Sequence, residues 1–308
     1  MHMDTRQAAI AGTATTARRV LVIYNPTAGQ WRRRKLQATL RALEGLGCPL
    51  TLHKTTDRGD AEAMAARLTV DSFDVVVAAG GDGTINEVAN GLIAATGPVP
   101  PLAIIPLGTA NVLAQEIGLR GTPEAIARAI AEGDLINVHL GRANGRHFLM
   151  MAGVGFDAHV VANVNLTLKR RAGKVAYVVE TMAQALRYGF PACQVEIDGK
   201  SFKARSVVVC NGRHYGGPFI AAPKARLTNP AFEVCLLERG GWGHVMRYGL
   251  ALVMGRLHSL PDVRIESGQS IRINGPAGLP VQGDGDIIAH LPAEITVSDK
   301  TLQLVVPG

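Results

Sequence analysis

Gly80-Gly81-Asp82-Gly83-Thr84-Ile85-Asn86-Glu87 is the segment whose residue types best suit chemistry. Its glycines allow a tight turn and a close backbone approach to a ligand. The segment follows an apolar run, Asp74 to Ala79, and opens a helical pattern. Such a strand–turn–helix aims the helix's unpaired N–H groups at whatever lies in the turn, and those groups favour phosphate oxygens. Asp82 suits a metal–phosphate or a ribose hydroxyl, and Thr84 suits the helix cap. The plain alternative is a strand–helix connection that merely needs glycine.

Two further loops have the same character. Asn25-Pro26-Thr27-Ala28-Gly29 follows the first apolar run, and Pro106-Leu107-Gly108-Thr109-Ala110-Asn111 follows the fourth. Loops after successive strands of an open α/β sheet gather at the strands' carboxyl edge, where ligands bind. Three polar, glycine-bearing loops at one edge point to an anionic ligand more strongly than any one of them, each of which alone is ordinary turn chemistry. No G-x-x-x-x-G-K-[ST], H-E-x-x-H or G-x-S-x-G occurs, and the nine histidines show no ligand spacing.

The elements that must position these loops are legible in the hydrophobic pattern. Arg19 to Asn25, Pro49 to Lys54, Asp74 to Ala79 and Leu102 to Ile105 read as strands, the continuous apolar runs being typical of a parallel sheet buried on both faces. Between and after them, Leu36 to Leu46, Asp60 to Leu68, Ile85 to Ala95, Asn111 to Ile117 and Pro123 to Ala131 read as helices. Alternation of this kind predicts right-handed βαβ units, an open parallel-sheet (Rossmann-like) α/β domain over residues 19–136. From Asn137 the segments turn short and strand-like: Phe148 to Ala152, Gln194 to Ile197, Ser206 to Cys210, Phe232 to Leu237, Val263 to Ile265, Ser270 to Ile273, Ile295 to Val297 and Leu302 to Val306. They predict an antiparallel β-sandwich domain over 137–308, interrupted by one helix near Gly173 to Tyr188, with the last strands free to return to the first domain. Residues 1–18 read as a flexible tail without the apolar stretch of a secretory signal.

Composition narrows the partners. With 308 residues and 47% hydrophobic content, the chain can bury two cores. No run of about 18 apolar residues predicts a membrane span, Tyr248 to Met254 being the best short candidate. Four scattered cysteines without a CxxC pair read as reduced, buried thiols of a cytosolic protein. The net charge of +7 serves solubility or an anionic partner. Aromatic residues at 5% supply few base-stacking surfaces, which disfavours nucleic acid. The basic runs Trp31 to Lys35 and Lys169 to Lys174 suit either a solvated helix face or an anionic lipid surface, where each positive side chain adds about 1 kcal/mol.

Taken together, Gly80 to Glu87, Asn25-Pro26-x-x-Gly29 and Pro106-x-Gly108-Thr109-x-Asn111 resemble the diacylglycerol kinase catalytic family, whose bacterial members are soluble lipid kinases related to sphingosine and ceramide kinases. The likeness runs from about residue 19 to the end. It implies a lipid cleft between a nucleotide-binding domain and a sandwich domain. ATP contacts would fall on Asn25, Pro26, Thr27, Ala28, Gly29, Thr55, Gly80, Gly81, Asp82, Gly83, Thr84, Ile85, Asn86, Glu87, Gly108, Thr109 and Asn111, with Mg²⁺ on the ATP phosphates near Asp82. The family's base lies in a late Asp-Gly-Glu, which Gln282-Gly283-Asp284-Gly285-Asp286 resembles, with Asp284 as base and Asp286 in place of the glutamate. Read alone, Asp284-Gly285 is an ordinary hairpin turn.

Two positions depart from the family pattern. Val112 stands where an Asp usually follows Asn111, and Asn229 replaces the Asp linked to a structural Mg²⁺, removing a charged hard-oxygen ligand. The resemblance implies transfer of the γ-phosphate to a lipid hydroxyl, diacylglycerol first, with ceramide or a sphingoid base as alternatives. It further implies a cytoplasmic enzyme peripheral to the inner membrane, and a homodimer is compatible with it. An NAD kinase shares the glycine-rich motif but not the Pro106 loop or the late Asp284-Gly285-Asp286. A nucleotide- or lipid-binding regulator without catalysis is the non-enzyme reading.

Overall fold

The computed structural model describes residues 17–26, 30–163 and 184–308. Thr27, Ala28, Gly29, most of the expected helix at Gly173 to Tyr188, the basic run Lys169 to Lys174 and residues 1–16 lie outside them. Four strands, β1 (Val20–Tyr24), β2 (Leu50–Lys54), β3 (Val75–Gly80) and β4 (Leu102–Pro106), pair in parallel in the order β2-β1-β3-β4. Helices α1 (Gln30–Gly45) and α5 (Pro123–Glu132) cover one face, and α2 (Asp60–Ala65) and α3 (Asp82–Ala94) the other. Side-chain alternation explains both layers. Val20, Val22, Val75 and Val77 point to the α1/α5 side, while Leu21, Ile23, Val76 and Ala78 point to the α2/α3 side.

The same sheet runs on into the second half of the chain. β18 (Ala293–Val306) pairs in parallel with β4 and antiparallel with β5 (Asp134–Ala143) and β15 (Ser270–Asn274), and β8 (Cys193–Ile197) and β9 (Lys200–Ala204) complete the 10-stranded sheet with β6 (Arg146–Phe148). β5 runs through residue 136, where the sequence pattern changes. A separate six-stranded antiparallel sheet contains β7 (Met151–Val154), β10 (Ser206–Cys210), β13 (Phe232–Leu237), β14 (Val263–Gly268), β16 (Pro280–Gly283) and β17 (Asp286–His290). Val207, Val209, Phe232 and Val234 meet Phe148, Val195, Ile271 and Ile295 between the two layers. The fold is therefore α/β, with a parallel N-terminal sheet and an antiparallel sandwich behind it.

Several expectations need correction. The strand expected at Phe148 to Ala152 is two strands, β6 and β7, split at Leu149–Met150, whose N–H groups are taken by a side chain described below. The two strands expected at the C-terminus are one, β18, because Ser298 to Lys300 is a register shift within the ladder rather than a turn. Two helices were not anticipated: α6 (Phe156–Asn163) and α7 (Trp242–Val253). A two-stranded hairpin, β11 (His214–Tyr215) with β12 (Phe219–Ile220), sits beside α4 (Val112–Glu116). All four cysteines are free and buried.

Candidate active site

The carboxyl ends of β1, β3 and β4 lie side by side, which brings Asn25 and the two later loops together. Gly80 pairs with Pro106 across β3 and β4, and Asn25 N–H donates to Ala79 O. The glycines serve packing first. A Cβ on Gly108 would lie 2.8 Å from Gly81 Cα and 2.7 Å from Asn111 Oδ1, so the two loop backbones touch where no side chain fits. A Cβ on Gly80 would meet Thr84 at 2.5 Å.

Asp82 ties the turns to each other. Its carboxylate accepts from Asn111 N–H (3.1 Å) and Val112 N–H (2.8 Å), and so caps the start of α4. Asn111 adopts a left-handed conformation (φ 48°) and donates from Nδ2 to Gly108 O, while its Oδ1 is buried without a partner. The N-cap of α3 is Gly81, with no side-chain cap, which corrects the capping role expected of Thr84. Thr84 lies inside the first turn and packs over Gly80 instead. The leading N–H groups of α3 have no acceptors within the helix.

Other expected residues are placed less directly. Ile85 is 2% exposed and its side chain belongs to the core under the turn. Asn86 is buried and its Oδ1 accepts from Asn90 Nδ2, which also donates to His147 O. Thr55 is buried and its hydroxyl donates to Tyr24 O at the end of β1. Thr109 is exposed and accepts from Arg32 Nη2 at 3.1 Å.

That contact reveals cations which the sequence pattern did not place. Arg32, Arg33 and Lys35 of α1 donate to Thr109 Oγ1, Pro26 O and Pro106 O. Burial lowers the pKa of Lys35. A charge run reads the same whether its helix faces solvent, lipid or a phosphate loop; only the orientation of α1 decides.

The late carboxylates arrive from the opposite sheet. Asp284 sits at the β16–β17 turn in a left-handed conformation (φ 50°). Its Oδ2 accepts from Leu149 N–H (2.6 Å) and its Oδ1 from Met150 N–H (2.9 Å) and Met151 N–H (3.0 Å). Burial lifts its pKa to about 6, against the pull of those N–H groups and with a further push from Asp82. Asp286 lies over the glycine turn, where a Cβ on Gly83 would come within 3.2 Å of its Oδ2. Arg58 pairs with Asp286 at 3.1 Å, and Arg146 clasps Glu62 through both oxygens at 2.7 and 2.6 Å. Burial raises the pKa of Glu87, which Arg58 opposes and Asp286 reinforces. A cleft of about 210 Å³ opens between the turn and the hairpin, lined by Arg58, Gly83, Glu87, Arg146, Asp286 and Ile288.

The glycine turn therefore faces Asp286 and Glu87 across one small cleft, with Asp284 enclosed at the base of the same hairpin. Among the described residues no group of three His, Cys, Asp or Glu side chains could hold a metal ion. Residues 19–143 match the diacylglycerol kinase catalytic domain family, and residues 150–306 match the YegS C-terminal NAD kinase beta sandwich-like domain. The chain belongs to this lipid kinase family. It is 29% identical over 294 residues to a Bacillus subtilis protein named diacylglycerol kinase, covering 94% of this chain and 97% of the other. A Staphylococcus aureus protein of the same name is 29% identical over 297 residues, covering 94% and 93%. A crystal structure of a Bacillus anthracis diacylglycerol kinase superposes with a TM-score of 0.73 at 26% identity, over 95% of this chain and 98% of that one.

Proposed function

We propose that the chain transfers the γ-phosphoryl group of ATP to the free hydroxyl of diacylglycerol. The observation that carries this reading is the approach of the Asp284–Asp286 hairpin to the Gly81–Gly83 turn. The N–H groups of that turn, Arg32 and Lys35 would bind and orient the phosphates, and the contact between Gly81 and Gly108 holds the two loops side by side. The acceptor's O–H gives its proton to the Asp284 carboxylate. Its oxygen then bonds to the γ-phosphorus as the bond to the β-phosphate oxygen breaks, and ADP leaves. Mg²⁺, when bound with ATP, would neutralise phosphate charge, and Asp286 and Glu87 are the carboxylates lining the cleft that could help to hold it.

The acceptor class follows from the names of the relatives and from the cleft. At about 210 Å³ it is smaller than the roughly 300–1,000 Å³ of sites that enclose a drug-sized ligand. It suits a polar head with a hydroxyl, leaving acyl chains in a lipid phase. That supports an enzyme working peripherally at a membrane surface. No helix among the described residues is long and apolar enough to cross a membrane.

The test is transfer of labelled γ-phosphate from Mg·ATP to diacylglycerol, monoacylglycerol, ceramide and sphingosine in mixed micelles, with soluble NAD alongside. Labelled phosphatidic acid that disappears with Asp284→Asn is the expected result. Label on NAD, or on a sphingoid lipid alone, would replace the acceptor. ATP binding with transfer to none of them would favour a binding protein.

A further inference from the structure

Helix α7 has its apolar side outward. Trp242, Met246, Leu250, Val253 and Met254 are 57%, 43%, 62%, 62% and 58% exposed, while Tyr248 and Ala251 on the other side are buried. Spacings of four, four and three to four residues set the exposed five on one face. Ordinary surface helices turn charge to solvent; this arc includes only glycines and, at its edge, Arg247, which pairs with Asp262. A continuous apolar patch of this kind marks an interaction surface rather than scattered exposure.

The charge around the patch selects the partner. Residues 239–258 contain Arg239, Arg247, Arg256, His244 and His258 and no Asp or Glu. Arg239, Arg256 and His258 are exposed at the two ends of the helix. A tryptophan and large aliphatic side chains fringed by arginine match a helix lying in the interface of an anionic bilayer. Asp262, beneath the helix, is engaged by Arg247 and Tyr248, so a symmetric contact with a second copy would set the exposed Arg239, Arg256 and His258 against their own like charges. On its inner side α7 is joined to the catalytic hairpin. Val245 packs on the cluster of Phe156, Val160 and Phe190, and α6, which carries Phe156, packs on β16 and β17.

We infer that the exposed face of α7 is the surface that seats this protein on an anionic lipid bilayer, with Trp242, Met246, Leu250 and Val253 entering the headgroup–acyl boundary. The choice of a bilayer over other partners rests on the lipid-kinase reading above; the exposed face itself does not.

Trp31 and Trp242 are the two tryptophans, so a Trp31→Phe protein reports on Trp242 alone. With phosphatidylglycerol vesicles its emission should shift to the blue and be quenched by brominated acyl chains, and less so with phosphatidylcholine. Leu250→Asp should weaken vesicle binding at least about tenfold while leaving phosphorylation of a short-chain, monodisperse diacylglycerol unchanged. Arg256→Glu should weaken binding to the anionic vesicles only. Trp242 still open to iodide in the presence of vesicles, with Leu250→Asp binding as the parent does, would overturn the inference and leave the kinase reading standing. Shielding of Trp242 before vesicles are added would overturn it in favour of a cover from the chain itself. A dimer in sedimentation that Leu250→Asp dissolves, without vesicle binding, would overturn it in favour of a second copy. Insertion of Trp242 by a protein that phosphorylates no lipid would support the surface and remove the kinase reading.

Discussion

Asp284 carries two opposed pressures, and they set its pH behaviour. Enclosure favours its neutral form, three backbone N–H groups favour the carboxylate, and the balance stands at about 6. As a base it must be ionised, so turnover should fall with a single-proton slope as pH drops through about 6. Its effect on stability has the other sign. A carboxyl raised above its unfolded value stabilises the fold fully below about 4, and that contribution is lost as pH rises through about 6. Asp284→Asn should remove the limb together with at least about a hundredfold of the rate. A pH–rate profile of kcat/KM alongside urea melts at pH 4, 6 and 8 checks both signs. At the same scale, Lys35 is half-buried against Pro106 O at the carboxyl end of β4, where the proposed phosphates would lie. Lys35→Met should lower ATP affinity about tenfold without changing vesicle binding. Vesicle binding that fell instead would return the α1 cations to the membrane role their sequence run suggested.

At the scale of elements, the loops work as a packed unit. Gly81 and Gly108 meet backbone to backbone, and Asp82 spans from the first turn of α3 to the start of α4. Gly108→Ala should therefore push the loops apart, lowering nucleotide affinity about tenfold while the fold survives, since the strands behind are untouched. Titration with a fluorescent ATP analogue and a thermal melt separate the two effects. The parallel strands were legible because unbroken runs such as Val75 to Ala79 must be buried on both faces. α7 was not, because apolar residues lie on both its sides and Gly243 and Gly249 dilute the period. The meeting of the Asp284–Asp286 hairpin, through Asp286, with the glycine turn, and the burial of Asp284 at its base, were legible only through family resemblance. No local pattern records that Leu149 to Met151, 133 or more residues away, will supply the hydrogen bonds of Asp284.

Across the whole molecule the two halves are stitched at several points, and α4 is held at both ends. Asp82 caps its start. At its last residue, the Glu116 side chain is 5% exposed and accepts from Arg213 N–H and Nε, from His214 N–H and from His214 Nδ1 at 2.6 Å. These donors belong to the β10–β11 connection and the β11–β12 hairpin in the second half of the chain. β18 adds a covalent return, pairing with β4 at the centre of the long sheet. A short helix pinned in this way couples the carboxyl edge of the parallel strands to the sandwich. Removing a carboxylate from such a cluster leaves its buried donors without an acceptor, which costs about 3 kcal/mol or more, beyond the value of the ion pair itself. Glu116→Ala should therefore lower the urea midpoint while unfolding remains one transition, because the shared sheet keeps the halves cooperative. It should also weaken nucleotide binding, because α4 carries the residues that Asp82 holds. Two separate transitions, with the first half melting as in the parent, would show that the halves fold independently and that α4 transmits nothing between them.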